Sequence, residues 1–129
     1  MDKKMILIAE DDPRVGESLR QWLKKKGNEI LLASNGKEAL QLFRHGAIDL
    51  VITDVVMPKM DGHALIRTIR NAGGESDLAI VAVSGALEGG VEKRLERDGA
   101  DAVLDKALGA ELIAQAADAV LERRRMRNG

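Results

Sequence analysis

The chain has 129 residues, enough for one domain with a core of its own. Its 20 basic and 21 acidic side chains leave a net charge of -1, which argues against a nucleic-acid binder that works by overall charge. With no cysteine, disulfides and thiolate metal sites are excluded, and two histidines are too few for a typical zinc site.

Five short apolar runs alternate with amphipathic stretches. The first run, Met5–Ala9, is almost continuously aliphatic, as a strand buried on both faces is, and it ends in Glu10-Asp11-Asp12. A helix is expected next. Asp12 can cap it, Pro13 suits its first position, and Val15, Leu19, Trp22 and Leu23 fall on one face. Lys24-Lys25-Lys26 complement the dipole of its last turn and Gly27 stops it. A second strand covers Glu29–Ala33. The second helix opens at Asn35-Gly36-Lys37-Glu38, a capping-box variant, and runs through Leu40 and Phe43.

The third strand, Leu50–Asp54, closes on an acid, and a Met57-Pro58 turn follows at once. The third helix follows Asp61-Gly62 and turns Leu65, Ile66 and Ile69 inward. The fourth strand, Leu78–Val83, ends at Ser84. The fourth helix covers Val91 to Arg97, after Gly89-Gly90. The fifth strand, Ala102–Leu104, leads into Asp105-Lys106. The last helix runs from Ala110 to Arg125, with Leu112, Ile113, Ala116, Ala117, Val120 and Leu121 as its apolar stripe.

Strand–helix alternation of this kind means a parallel sheet with helices on both faces, an α/β fold of (βα)5 pattern. Right-handed crossovers place every strand's carboxyl end on one side. With one Trp, one Phe and no Tyr, the core must be aliphatic. No signal peptide is visible and no apolar run approaches the roughly 20 residues a membrane span needs, so the expected compartment is the cytosol. No internal repeat, linker or low-complexity segment stands out.

Three acids, a hydroxyl and a lysine should therefore converge from segments far apart in sequence: Glu10, Asp11, Asp54, Ser84 and Lys106. Carboxylates gathered in the crevice at the strand ends repel one another, and a divalent cation with oxygen ligands is the simplest way to hold them. Alone, each residue has an ordinary explanation. Asp54 would be a turn residue, Lys106 a solvated surface lysine, and Ser84-Gly85 a strand-ending turn. Asp12 and Asp61 read as helix caps, Asp105 as solvent-facing, His45 and His63 as surface residues, and Met57 and Met60 as loop packing. The run Arg123-Arg124-Arg125-Met126-Arg127 reads as a helix end complementing its dipole.

Taken together, the chain resembles the receiver domain of two-component response regulators along nearly its whole length. The matching pieces are Leu7-Ile8-Ala9-Glu10-Asp11, then Asp54-Val55-Val56-Met57-Pro58-Lys59-Met60-Asp61-Gly62, then Ser84-Gly85-Ala86, then Lys106. Any one is weak; all four in order are specific. The resemblance implies a flavodoxin-like, doubly wound parallel five-stranded sheet of order 2-1-3-4-5. It implies that Asp54 accepts a phosphoryl group, that Ser84 and Lys106 contact that group, and that Mg2+ is held by Asp11, Asp54 and the Val56 carbonyl, with Glu10 through a water. The donor would be a sensor histidine kinase or a histidine phosphotransfer protein. A downstream target protein would read a changed face built from the fourth helix, fifth strand and fifth helix. The expectation is a stand-alone receiver over residues 1–129 with no output domain, a monomer or weak dimer, contacting neither nucleic acid nor membrane. It would be a switch and not a turnover enzyme.

Three positions depart from the family. Ala107 stands where proline usually follows the lysine, so a trans Lys106–Ala107 bond is expected. Val103 replaces a frequent aromatic, which puts the usual rotamer coupling in doubt. Val56 and Ala86 flank the path of an attacking water and cannot orient it, which predicts slow loss of phosphate. The rival readings are an interaction module that no longer takes phosphate, a receiver cut from a longer response regulator, and an aspartate-nucleophile phosphohydrolase. The last usually needs an acid where Val56 stands.

Overall fold

The computed structural model describes residues 3–72 and 78–128. The elements in chain order are β1 (Met5–Ala9), α1 (Pro13–Lys24), β2 (Glu29–Ala33), α2 (Gly36–Arg44), β3 (Leu50–Asp54), α3 (Gly62–Asn71), β4 (Ala79–Ser84), α4 (Val91–Asp98), β5 (Ala102–Asp105) and α5 (Ala110–Asn128). A 3-10 turn, Lys106–Leu108, joins β5 to α5. The strands form one sheet of order β2-β1-β3-β4-β5, every pairing parallel, as the resemblance implied.

Strand alternation divides the core in two. Leu7, Ala9, Val51, Ile80 and Ala82 face α2, α3 and α4, where Leu40, Leu65, Ile66, Ile69 and Leu95 meet them. Ile6, Ile8, Leu50, Ile52, Val81 and Val83 face α1 and α5, against Leu19, Leu23, Ile113, Ala117 and Leu121. The three central strands are buried on both faces, which is why their sequences are continuous apolar runs.

The helix starts follow their capping residues. Asp12 accepts from Arg14 N–H ahead of Pro13, and Asp61 accepts from Ala64 N–H. Asn35 accepts from Glu38 N–H at 2.8 Å while the Glu38 carboxylate accepts from Ser34 N–H at 2.6 Å, a closed cap on α2. α4 differs: Gly89 and Gly90 sit at φ 67° and 80°, no side chain caps the helix, and only Leu95 is buried.

Several boundaries and faces depart from the sequence reading. β4 starts at Ala79, not Leu78, and takes in Ser84, because the last rung of its ladder pairs Ser84 with Asp105. That same pairing carries β5 to Asp105. On α5, Leu112 is 51% exposed and Ala114 is buried in its place, since the helix meets the sheet through Ile113, Ala114, Ala117, Val120 and Leu121. His63 is not a surface residue: its Nδ1 lies 2.7 Å from an Asp98 carboxylate oxygen, tying the first turn of α3 to the end of α4. His45 is exposed, as expected. In the basic tail, Arg125 pairs with Asp49 at 2.8 Å and Arg124 pairs with Asp101, so those two arginines fasten α5 to the loops at the foot of the sheet.

Candidate functional site

The carboxyl ends of β1, β3, β4 and β5 lie side by side in the sheet, so the residues that leave them share one edge. Asp54 ends β3 and is 7% exposed. One carboxylate oxygen accepts the Val55 N–H at 2.8 Å; the other accepts Lys106 Nζ at 2.9 Å. The Asp54 main chain is also held, because Thr53 Oγ1 donates to its carbonyl at 2.8 Å. Val55 closes the loop behind it, accepting the Gly62 N–H at 2.8 Å.

Lys106 comes from the turn after β5 and reaches two acids at once. Its ammonium lies 3.1 Å from Glu10 Oε1 as well as 2.9 Å from Asp54 Oδ2. Burial lowers the lysine's proton affinity, but hydrogen bonds and charge from Asp54 and Glu10 outweigh it and the net shift is upward. Glu10 is 5% exposed, and burial, aided by the neighbouring Asp54 charge, pushes its carboxyl up to about 7. The Asp12 N–H on Glu10 Oε2, at 3.1 Å, and the Lys106 ammonium pull the other way without winning.

Asp11 is exposed at the mouth of the site. Glu10, Asp11 and Asp54 each present one carboxylate oxygen within 4.8 Å of the others, the one group of potential metal ligands of this kind among the described residues. Three acids against one ammonium leave the cluster short of positive charge. All-oxygen donors of this spacing suit a hard divalent cation. The residues present therefore fit the Mg2+ that the resemblance implied.

Ser84 ends β4 at the same edge, but its hydroxyl is engaged locally. It donates to the Ala86 carbonyl at 3.0 Å and accepts the Ala86 N–H at 3.1 Å. Val56 is 80% exposed beside Asp54, and Ala86 is exposed too. The Lys106–Ala107 bond is trans, and Asp105 stabilises the turn by accepting the Ala107 N–H at 2.9 Å.

The structure thus brings Glu10, Asp11, Asp54 and Lys106 into one cluster and sets Ser84 at its rim with its hydroxyl turned to Ala86. Sequence reasoning missed two features. The Glu10–Lys106 contact has no signal in spacing beyond the shared sheet edge. The close packing of Gly36, at the start of α2, against the Met60 carbonyl in the loop after β3 was also missed; of the two glycines that press on that loop, the motif Asp61-Gly62 signalled only Gly62.

The family model for the response regulator receiver domain matches residues 6–118. The chain belongs to that family. Among curated proteins it is 37% identical over 119 residues to the response regulator MprA of Mycolicibacterium vanbaalenii, which covers 92% of this chain and 50% of that protein. It is 37% identical over 107 residues to the probable transcriptional regulator ycf27 of Cyanidium caldarium, covering 83% of this chain and 36% of that protein. The chain therefore spans about half the length, or less, of these relatives. Among solved structures, a receiver domain from Clostridium thermocellum superposes with a TM-score of 0.83 at 27% identity over 95% of this chain and 98% of the other. A CheY-like receiver from Methanospirillum hungatei reaches 0.89 at 22% identity over 98% and 99%, a likeness of fold.

With transcriptional regulators among the relatives, the expected lack of nucleic-acid contact finds no support in them. Among the described residues no helix is long and apolar enough to cross a membrane.

Proposed function

We propose that this receiver domain is a phosphoryl-accepting switch in which Asp54 takes the group from a phosphohistidine on a sensor kinase or phosphotransfer protein. The observation that carries the reading is the Asp54 carboxylate itself: fixed by Val55 N–H, paired with Lys106, and grouped with Glu10 and Asp11.

A carboxylate oxygen is a competent nucleophile toward an activated phosphoryl group, and the transfer needs positioning and charge neutralisation more than covalent help. The oxygen that now holds Lys106 forms the new P–O bond as the P–N bond to the donor imidazole breaks. The imidazole leaves and regains a proton from water. Val55 N–H keeps the second oxygen in place throughout. Glu10, Asp11, Asp54 and the Val56 carbonyl would hold Mg2+, which supplies positive charge to the transferring oxygens. Lys106 then moves its ammonium from the carboxylate to a phosphoryl oxygen. A groove of about 390 Å³ between the starts of α1 and α5, lined by Arg14, Val15, Ser18, Lys106, Gly109 and Ile113, leaves room for the donor's approach.

Ser84 supplies the switch. Its hydroxyl must leave the Ala86 carbonyl to donate to a phosphoryl oxygen, and this draws the loop after β4 toward Asp54. That loop ends in Gly89 and Gly90, both at positive φ, and leads to an uncapped start of α4, a helix that buries only Leu95 and is held at its far end, where Asp98 meets His63 and Arg67. The face of α4, β5 and α5 is thus free to shift, and a target protein reads it. The domain stores a signal and does not turn over a substrate. Intact mass after treatment with acetyl phosphate and Mg2+ tests the assignment. One phosphoryl group on wild type and none on Asp54→Ala is the expected result; equal labelling of both, or none on wild type, refutes it.

A further inference from the structure

The turn that follows Asp54 is strained and is braced from outside. Met60 N–H donates to the Pro58 carbonyl at 2.8 Å, and Lys59 between them sits at φ 70°. This is the positive-φ form of the γ-turn, uncommon and costly for a residue with a Cβ. Lys59 is the one non-glycine residue at positive φ among those described. Its side chain is exposed, so its own packing does not hold the turn.

Two glycines press on this segment instead. A Cβ on Gly62 would stand 2.4 Å from the Asp54 carbonyl oxygen. Gly36 comes from a different element, the first residue of α2. A Cβ there would stand 2.2 Å from the Met60 carbonyl oxygen and 2.9 Å from its carbon. The Gly36 backbone is not in the left-handed region, so space and not torsion demands glycine at this point. The surface that meets Met60 is firm. Asn35 and Glu38 close the cap of α2, and Ala39 and Leu40 seat it in the core.

We propose that Gly36 is a positioning residue for the phosphorylation site. By letting α2 close on the Met60 carbonyl, it holds the strained turn in one place. The same loop carries the Val56 carbonyl, which thereby stays aligned with Asp54. The inference rests on the proposed function, because the ligand it aligns is Mg2+ at Glu10, Asp11 and Asp54.

The test is calorimetric titration of Mg2+ into wild type, Gly36→Ala, Asn35→Ala and Ile6→Val, well below each protein's melting transition and with folding checked by circular dichroism. Acetyl phosphate labelling is followed in parallel. Gly36→Ala is expected to raise the Mg2+ Kd about tenfold, the scale for losing a group that supports metal ligands, and to slow labelling with it. Ile6→Val trims the core at the opposite end of β1. It should lose stability and keep the wild-type Kd, which separates positioning from stability. Should Gly36→Ala not fold, Asn35→Ala decides: opening the cap of α2 should raise the Kd about threefold. A wild-type Kd in folded Gly36→Ala, or in Asn35→Ala where the former is unfolded, overturns the proposal. Wild type that neither binds Mg2+ nor accepts phosphate defeats the proposed function and this inference together. Normal wild-type labelling with an unchanged variant removes the role of Gly36 alone.

Discussion

Lys106→Ala isolates what the lysine does in the resting site. It removes the cation 3.1 Å from Glu10 and 2.9 Å from Asp54, both buried acids. The two carboxylates then face each other with oxygens within 4.8 Å. At an effective dielectric constant near 20, two unit charges at that distance repel by about 3 kcal/mol. Lys106 is 31% exposed on its side chain, so water already screens part of this. Without the ammonium Glu10 also holds its proton to higher pH, which relieves the repulsion further, and about 1 kcal/mol is the expected loss of stability at pH 8 without metal.

The pH dependence follows from Glu10. The fold raises its carboxyl from 4.5 to about 7, chiefly by burial. The folded state therefore keeps a proton that the unfolded chain has given up. That contribution to stability is full below pH 4.5 and is lost as pH rises through about 7. Near pH 5 Glu10 is protonated with or without Lys106, so the gap between the two proteins should shrink. Saturating Mg2+ at pH 8 should close it as well, because the dication replaces the ammonium. Urea unfolding at both pH values, in EDTA and in Mg2+, measures all four cases. A gap that is the same in every condition would show that the lysine contributes packing and not charge, and the reasoning would fail.

Two further outcomes are expected. Phosphate should leave Asp54 slowly without a phosphatase, over minutes or longer, because neither Val56 nor Ala86 can orient water; a lifetime of a few seconds by intact mass would contradict this. Asp101→Ala should cost about 3 kcal/mol in urea unfolding, since it strands the Ile80 N–H and takes a counter-charge from Arg70, whose proton affinity burial already lowers. A loss under about 1 kcal/mol would mean that water or other groups replace those bonds.

The sequence alone determined the layers of this protein, the acids at the strand ends and the helix starts. Each is a local property. A strand buried on both faces must be apolar throughout, and Asp12, Asn35 and Asp61 cap helices by contacts within three residues. The motifs around Asp54, Ser84 and Lys106 were legible for the same reason, because a strand's end fixes where its next residue points. What only the tertiary structure decided is which groups meet across long separations. Lys106 bridges two acids and His63 reaches Asp98, and the packing of α5 on the sheet turns Leu112 outward and Ala114 inward. Gly36 shows the limit best. Its need for glycine comes from the Met60 carbonyl packed against it, and no pattern within α2 records that neighbour.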